Sequence, residues 1–399
     1  MKLKYSLLVA ALAFNTALAQ PSSRGYWVSP GYITGQVLTD NDNKTVLPSN
    51  KPTVMLDKQP TTTDKRIAKH ANWLWDKDRN HLGMLLIDHG QVVYEQYAYG
   101  TTSSTKFFSM SMSKTLTAMT VGEAVCSGRI KSLQDKAEQY SPALRGTGYG
   151  DSTIEELLTM QARTKPAPDN AGTHNRAPNE EWRQIAQGYG TIKELVQRNG
   201  NEITEGGKFS YDNTSTNSLM LAVDGTTDFR QLFADTVWNR SGAEQPGAWL
   251  VDKEGKTNAA YGFSATLRDW GRLAQESIEM RKGTRGACLQ KYMKAATAEH
   301  IPVGSASKYN GYGYQVWTDS RPGSEVYLWL GNFGQKIWVD PKNERILVIF
   351  RNEHNEHVNF LIARLFADWA ELGMPPMHAR TYPDPDFKGS VTVTSISEK

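Results

Sequence analysis

Short hydrophobic runs along the chain fall into two groups, one near each end. Residues 82–99 are rich in Met, Leu, Ile, Val and Tyr around a turn at residues 88–90, a pattern typical of a β-hairpin. The later group predicts a helix over residues 357–372, preceded by strands at residues 312–317, 326–330, 336–339 and 345–350. Strands at both ends with helices between them predict one α/β body whose sheet is completed by the C-terminal strands.

Helical spacing dominates the part of the chain between these groups. Apolar residues recur at helical intervals over residues 111–126, with Gly128 as a stop signal, and again over residues 266–280. From about residue 129 to 260, helical stretches mix with long polar loops, and no alternating strand pattern is present. This region is therefore predicted to be a mainly helical insertion.

The two ends of the chain lack this periodicity. Residues 1–19 combine two lysines, an apolar run and small residues ending in Ala19, the pattern of a cleavable export signal. Residues 20–80 are predicted to form an extension packed on a body of residues 81–385, and residues 386–399 to form a tail. No other segment approaches the roughly 20 consecutive apolar residues of a membrane span. We expect a periplasmic or secreted protein without a membrane anchor.

Composition narrows the range of partners. The chain has 45 Lys and Arg against 42 Asp and Glu, and its 39% hydrophobic content is typical of a globular protein with a large core. A chain so nearly neutral has no electrostatic basis for binding nucleic acid or an anionic membrane surface. Cys126 and Cys288 are compatible with one disulfide in an exported chain, but their spacing identifies no metal or redox motif, and the sequence leaves their pairing open.

The candidate chemistry centres on Ser111 and Lys114. Residues three apart share a face of a helix, so the lysine amine reaches the serine hydroxyl. Serine is a weak nucleophile that needs an adjacent base, and a partly desolvated lysine serves as one if its pKa falls from about 10.4. A helix that starts at the serine also turns backbone N–H groups and the positive end of its dipole toward an oxyanion.

The same Ser-x-x-Lys spacing occurs twice more, at Ser103 and Lys106 and at Ser305 and Lys308. Neither pair opens a long helix with apolar periodicity, because the first lies in a polar run and the second in a Gly, Pro and Tyr loop. We expect both pairs to be surface residues. The importance of Ser111 therefore depends on other segments.

Two later segments supply such support. Tyr211 and Asn213 belong to the only Tyr-x-Asn among the 17 tyrosines. A tyrosine that becomes a phenolate beside Lys114 is expected to take the serine proton and to return it to the leaving group. Asn213 is expected to hold the substrate by hydrogen bonds. The alternative is a core tyrosine with a helix-capping asparagine. In residues 329–335, glycines between two predicted strands let substrate lie close to the backbone; the alternative is an ordinary hairpin turn.

In this order, the segments resemble the serine β-lactamase/penicillin-binding superfamily, with the nearest likeness to class C-like esterases and 6-aminohexanoate-dimer hydrolases. The resemblance covers roughly residues 80–370, including the connecting segments 157–160 and 262–270. It implies a β-lactamase/transpeptidase-like α/β fold, with an antiparallel sheet flanked by helices and an inserted mainly helical region.

The same resemblance assigns roles to individual residues. It implies that Ser111 is the acylated nucleophile, Lys114 its activating partner and Tyr211 the general acid/base. The backbone N–H groups of Ser111 and Asn332 would form the oxyanion hole.

The sequence departs from this family at Trp329. Related enzymes have Lys-Thr-Gly or a variant with a basic first residue here, whereas this chain has Trp-Leu-Gly ending at Gly331. The cation helps to hold a substrate carboxylate, and tryptophan offers an apolar face instead, so efficient penicillin hydrolysis is not expected. Trp329, Gly331 and Asn213 are predicted to contact the substrate.

These observations favour an exported serine hydrolase that cleaves a small-molecule amide or ester through an acyl-enzyme and needs no cofactor. The alternative enzyme is a β-lactamase or D,D-peptidase. The alternative of another class is a non-catalytic penicillin-binding or sensor protein. Such a protein is expected to have lost at least one of Ser111, Lys114 and Tyr211, but all three are present. His354 and His357 lie three apart without a further ligand cluster, so no metal site is predicted. The oligomeric state is left open.

Overall fold

The computed structural model describes residues 27–28, 44–98, 100–165, 185, 190–303, 311–319, 323–353 and 355–371. The predicted export signal and C-terminal tail, together with Ser305, Lys308 and His354, lie outside these ranges. In the part of the chain that is described, no helix has the length and apolar character needed to cross a bilayer.

The described helices are α1 (Thr62–Asp76), α2 (Ser113–Cys126), α3 (Gly148–Asp151), α4 (Ile154–Leu158), α5 (Ile192–Asn199), α6 (Asn213–Asp224), α7 (Phe229–Phe233), α8 (Leu267–Lys282), α9 (Ala287–Ala296) and α10 (Glu356–Trp369). The strands are β1 (Trp27–Val28), β2 (Lys44–Leu47), β3 (His81–Asp88), β4 (Gln91–Tyr97), β5 (Lys106–Phe108), β6 (Gly247–Leu250), β7 (Phe263–Ala265), β8 (Ile301–Pro302), β9 (Gly311–Tyr312), β10 (Trp317–Thr318), β11 (Tyr327–Gly331), β12 (Gln335–Asp340) and β13 (Arg345–Arg351).

The larger sheet has eight strands within the described ranges, in the order β4-β3-β13-β12-β11-β10-β9-β8. Neighbouring strands are antiparallel, and β13 pairs with β3 so that Leu347 lies opposite Leu86. The predicted hairpin is formed by β3 and β4. The C-terminal strands thus complete a sheet that starts near the N-terminus, as the hydrophobic pattern predicts.

Helices cover both faces of this sheet. Along β3, Met84 and Leu86 belong to the hydrophobic cluster that includes α1 and α10, whereas Leu85 and Ile87 belong to the cluster that includes α2 and α8. Successive side chains of a strand point to opposite faces, and all four are fully buried. Each such side chain contributes about 1.5–3 kcal/mol by leaving water, so this α/β layering is strongly specified.

The smaller sheet has the order β1-β5-β7-β6-β2. Strand β6 falls inside the region that the sequence predicts to be mainly helical, which corrects that prediction locally. All of β6 is buried, and it pairs with β2 and β7. A short strand buried on both faces shows no polar alternation, so periodicity does not reveal it.

Helix α2 runs through the interior and carries Lys114 in its first turn. Residues 113–124 are all buried, and Thr117 and Thr120 donate hydrogen bonds to carbonyls four residues earlier, at 3.2 and 2.8 Å. The helix begins at Ser113, because residues 110–112 form a 3₁₀ turn that places Ser111 just before it.

The far end of α2 is held by α9. A disulfide joins Cys126 to Cys288, whose Cα atoms lie 5.7 Å apart, which resolves the pairing that the sequence leaves open. Tyr292 of α9 packs on Gly122, where an added Cβ would lie 2.6 Å from the ring, and its hydroxyl donates to Ala118 O at 2.8 Å. Helix α2 is therefore a rigid support for the residues at its other end.

Candidate active site

Ser111 lies where β5 of the smaller sheet leads into α2. The segment before it is tied to β7, because Ser109 N donates to Phe263 O at 2.8 Å and Phe263 N donates to Ser109 Oγ at 3.2 Å. Met110, between Ser109 and Ser111, has a left-handed φ of 47°. This turn leaves Ser111 half-buried at the end of a fixed strand.

Lys114 is buried, with 1% of its surface exposed, and its Nζ faces three oxygens. It donates to Asn213 Oδ1 at 2.6 Å and to Ala260 O at 3.0 Å, and it lies 3.3 Å from Ser111 Oγ. The two carbonyl oxygens can only accept. Lys114 Nζ is therefore within reach of the Ser111 hydroxyl, at the position that a base for this hydroxyl would take.

The contribution of Ala260 was missed by sequence analysis, because a backbone carbonyl leaves no mark in the pattern of side chains. Its position is set by neighbouring contacts: Asn217 Oδ1 accepts from Ala259 N at 3.0 Å, and Thr117 Oγ1 donates to Ala259 O at 3.0 Å. Thr117 is on α2 itself. The helix that carries Lys114 thus also positions the carbonyl that orients its amine.

Tyr211 lies beside this pair, with the centre of its ring 5.0 Å from Lys114 Nζ. Burial raises the pKa of the Tyr211 phenol to about 12, although a hydrogen bond with the Ser111 side chain opposes that shift. At neutral pH the residue is therefore a phenol. Burial thus favours the neutral phenol, and the role of Tyr211 as general acid/base stays a prediction.

Asn213 does not cap its helix. Asp212 is the N-cap of α6, accepting from Thr214 N at 2.7 Å and Ser215 N at 3.3 Å, and it is held by Tyr149 Oη at 2.6 Å. Asn213 therefore has no capping role, and its Oδ1 accepts a hydrogen bond from Lys114 Nζ. The alternative of a capping asparagine is wrong.

A group of aromatic side chains, here called the aromatic wall, packs on and around Tyr211. Trp317 stacks on the Tyr211 ring with a centroid distance of 5.5 Å, and Tyr312 meets both rings edge-on at 6.0 and 4.9 Å. Phe209 packs on Tyr312 at 5.3 Å. The half-buried Trp317 gives the site an apolar surface that sequence analysis did not find, because it depends on the fold bringing β10 against residue 211.

The turn between β11 and β12 comes directly against the serine segment. A Cβ added to Gly331 would lie 2.6 Å from Ser109 O and 3.0 Å from Met110 Cβ. Gly331 has an ordinary extended conformation, with φ −129° and ψ 150°, so glycine is required here for close approach rather than for an unusual dihedral angle. The start of this turn, which Asn332 continues, therefore lies against the two residues that precede Ser111.

Comparisons with known proteins show the family and the fold of this chain. A family model described as Beta-lactamase matches residues 65–367. The chain belongs to the beta-lactamase family. It is similar to the 6-aminohexanoate-dimer hydrolase of Paenarthrobacter ureafaciens, with 25% identity over 283 residues that cover 66% of this chain and 70% of the relative. It is a β-lactamase-fold hydrolase related to that enzyme.

Solved structures confirm the predicted fold class. A Bacillus anthracis protein provisionally named a 6-aminohexanoate-dimer hydrolase has a TM-score of 0.69 and 20% identity, over 83% of this chain and 90% of that one. A penicillin-binding protein from Bacillus halodurans has a TM-score of 0.60 and 18% identity, over 74% of this chain and 99% of that one.

Trp329 occupies the place where the family's basic residue is expected, but the structure does not bring its side chain to the surface of the site. Trp329 has 0% exposure and lies in the large hydrophobic core. The expectation that it offers an apolar face to substrate is therefore corrected, because strand alternation on β11 points it inward. Position 329 still lacks the basic residue of the related enzymes. The apolar surface near the site is supplied by the half-buried Trp317.

The other Ser-x-x-Lys pair within the described residues does not form a site. Ser103 is exposed, whereas Lys106 is fully buried on β5, where burial lowers its pKa to about 8. The expectation of a surface pair is thus wrong for Lys106, because the polar run before it ends in a strand of the interior. Ser305 and Lys308 lie outside the described residues.

The contact at Gly331 predicts a large effect from one methyl group. Gly331→Ala is expected to lower kcat/KM for p-nitrophenyl butyrate by about 10- to 100-fold, because the turn and the Ser109 carbonyl must separate, and misplacement of reacting groups by about 1 Å costs on that order. The matched control is Gly311→Ala, whose Cβ would have its three nearest atoms in the exposed side chain of Glu299. Equal kinetics for the two variants would contradict the prediction.

Proposed function

We propose that this protein is an exported serine hydrolase that cleaves amide or ester bonds through a Ser111 acyl-enzyme. One observation carries the proposal: Lys114 Nζ is buried, donates to Asn213 Oδ1 and Ala260 O, and lies 3.3 Å from Ser111 Oγ.

In the proposed acylation step, Ser111 Oγ attacks the substrate carbonyl carbon and its proton passes to Lys114 Nζ. The negative charge that develops on the carbonyl oxygen is stabilised by hydrogen bonds from the backbone N–H groups of Ser111 and Asn332. When the tetrahedral intermediate collapses, the phenol of Tyr211 gives its proton to the leaving amine or alcohol and is reprotonated from Lys114. In deacylation, water attacks the acyl-enzyme and gives its proton to Lys114 through Tyr211. Lys114 then returns a proton to Ser111 Oγ as the acid product leaves.

The substrate class follows from what the site holds and lacks. The related hydrolase from Paenarthrobacter ureafaciens is named for 6-aminohexanoate dimer, an amide formed from an amino acid, and the aromatic wall at Trp317 suits the apolar part of such a chain. The position that a basic residue takes in β-lactamases holds the buried Trp329. Linear amides and esters are therefore favoured over β-lactams, whose carboxylate would lack this partner.

Export is part of the proposal. Residues 1–19 have the pattern of a signal peptide, and disulfides such as Cys126–Cys288 persist mainly in oxidising compartments. Both observations support a periplasmic or secreted protein.

A substrate comparison tests the proposed class. We expect turnover of p-nitrophenyl butyrate and slow acylation by nitrocefin, because losing a charge-assisted hydrogen bond of about 1.5–3 kcal/mol lowers the rate roughly 10- to 150-fold. Intact mass after incubation with a fluorophosphonate and with penicillin shows which reagent acylates the protein. A kcat/KM near 10⁶ M⁻¹s⁻¹ for nitrocefin, on the order of an efficient enzyme, would favour the β-lactamase alternative. Stable acylation by penicillin without ester turnover would favour a sensor.

A further inference from the structure

Two residues with side chains adopt the left-handed backbone conformation beside the site. Met110, immediately before Ser111, has φ 47°, and Phe333, immediately after Asn332, has φ 65° and ψ 16°. Such dihedral angles are unfavourable for bulky residues and persist only where the surroundings impose them. They flank the two N–H groups to which the proposed function assigns the oxyanion. The positive φ of Phe333 continues at Gly334 (φ 90°), in the tight turn between the paired residues Gly331 and Gln335. The question is what holds Met110 and Phe333 together.

Both residues pack on one small hydrophobic cluster, separate from the two main ones, which we call the site cluster. It consists of Phe108, Met110, Ala248, Leu250, Ala260 and Tyr261, with the half-buried Phe333 packed against it. Met110 is the neighbour of the nucleophile, and Ala260 supplies the carbonyl that orients Lys114. The ring of Phe333 therefore contacts the same group of side chains that positions the serine and the lysine.

The remainder of the turn is fixed at its two ends but not at Asn332. At one end Gly331 lies against Ser109. At the other end the Gln335 amide bonds the backbone of Arg351, with Nε2 donating to Arg351 O at 2.6 Å and Oε1 accepting from Arg351 N at 3.1 Å. Asn332 is exposed, so packing of its own side chain does little to hold the peptide. Phe333 is the residue whose side chain can set its direction.

We propose that Phe333 is a positioning residue for the oxyanion hole: its side chain, packed on the site cluster that contains Met110, holds the turn that carries the Asn332 N–H against the serine segment. The inference rests on the proposed function. It deepens that function by assigning the aim of one donor to a side chain that does not touch the reacting atoms. Preorganised donors stabilise charge in the transition state more than in the bound substrate, so the effect belongs in kcat.

The test compares Phe333→Leu, Phe333→Ala and Phe333→Gly with wild type. We expect Phe333→Ala and Phe333→Gly to lose at least about 10-fold in kcat for p-nitrophenyl butyrate, part of the roughly 10²–10³-fold cost of deleting such a donor, with KM within about twofold. Phe333→Leu, which keeps an apolar anchor, is expected to recover most of the rate. Binding of butylboronic acid, whose adduct with serine is tetrahedral, should weaken in parallel with kcat.

The control is Phe360→Ala, which removes another half-buried phenylalanine, on α10, from a different cluster. Its kcat and boronate affinity are expected to stay at the wild-type level even if its melting temperature falls as far as that of Phe333→Ala. Wild-type kcat in Phe333→Gly would overturn the inference, since the backbone would then need no ring to hold it. A change confined to KM would also overturn it, by making Phe333 a substrate contact. If wild type itself has no esterase activity and forms no boronate adduct, the proposed function fails instead.

Discussion

Replacing Ser111 with alanine is expected to lower kcat/KM for p-nitrophenyl butyrate by about 10⁴-fold or more, the order seen when an acyl-enzyme nucleophile is removed. The reason is geometric. Ser111 Oγ is the hydroxyl that lies 3.3 Å from Lys114 Nζ, and no covalent intermediate can form on a methyl group. Steady-state kinetics and intact mass after fluorophosphonate treatment measure the two parts of this expectation.

The matched controls are the other serines with the same spacing. Ser103→Ala alters an exposed residue whose lysine is buried on β5, and Ser305→Ala alters the third pair. Both variants are expected to keep nearly all of the activity. A serine-reactive probe found on a peptide that lacks Ser111 would assign the nucleophile elsewhere.

The parts of the fold that could be predicted are those whose signal is local. The hairpin at residues 81–97 and helix α2 have periodic apolar residues and clear stop signals, and both are present. Ser111 and Lys114 are close in sequence, so their contact follows from helical geometry alone. Tyr211 and Asn213 required a motif as well, because a residue about a hundred positions away is brought to the lysine only by the fold.

The parts that could not be predicted depend on tertiary placement. Trp329 was expected in the cleft, but it is buried. The prediction failed because a strand with apolar residues on both faces does not show from its sequence which face meets the site. Lys106 follows a polar run and is nevertheless interior. The carbonyl of Ala260 and the stacking of Trp317 on Tyr211 have no counterpart in any local pattern. Each is a consequence of two distant segments meeting.

Lys114 and Tyr211 are expected to act as a unit on one proton. Lys114→Met, which keeps the volume, and Tyr211→Phe should each lower kcat/KM at least about 10²-fold, as for a lost acid or base. The double variant should fall far short of the product of the two losses, because Lys114 Nζ is 3.3 Å from Ser111 Oγ and 5.0 Å from the centre of the Tyr211 ring. Strictly multiplicative losses would show that the two residues act independently.

The dependence of rate on pH separates their roles. Because burial raises the pKa of Tyr211 to about 12, the phenol keeps its proton between roughly pH 6 and pH 10, and its ionisation adds no inflection to kcat/KM in that range. The rise in kcat/KM that reports the base should therefore persist in Tyr211→Phe, at a lower absolute rate, and disappear in Lys114→Met. If the rise is lost in Tyr211→Phe instead, the tyrosine is the base, and its phenolate is stabilised by Lys114 to a degree that the resting geometry does not provide.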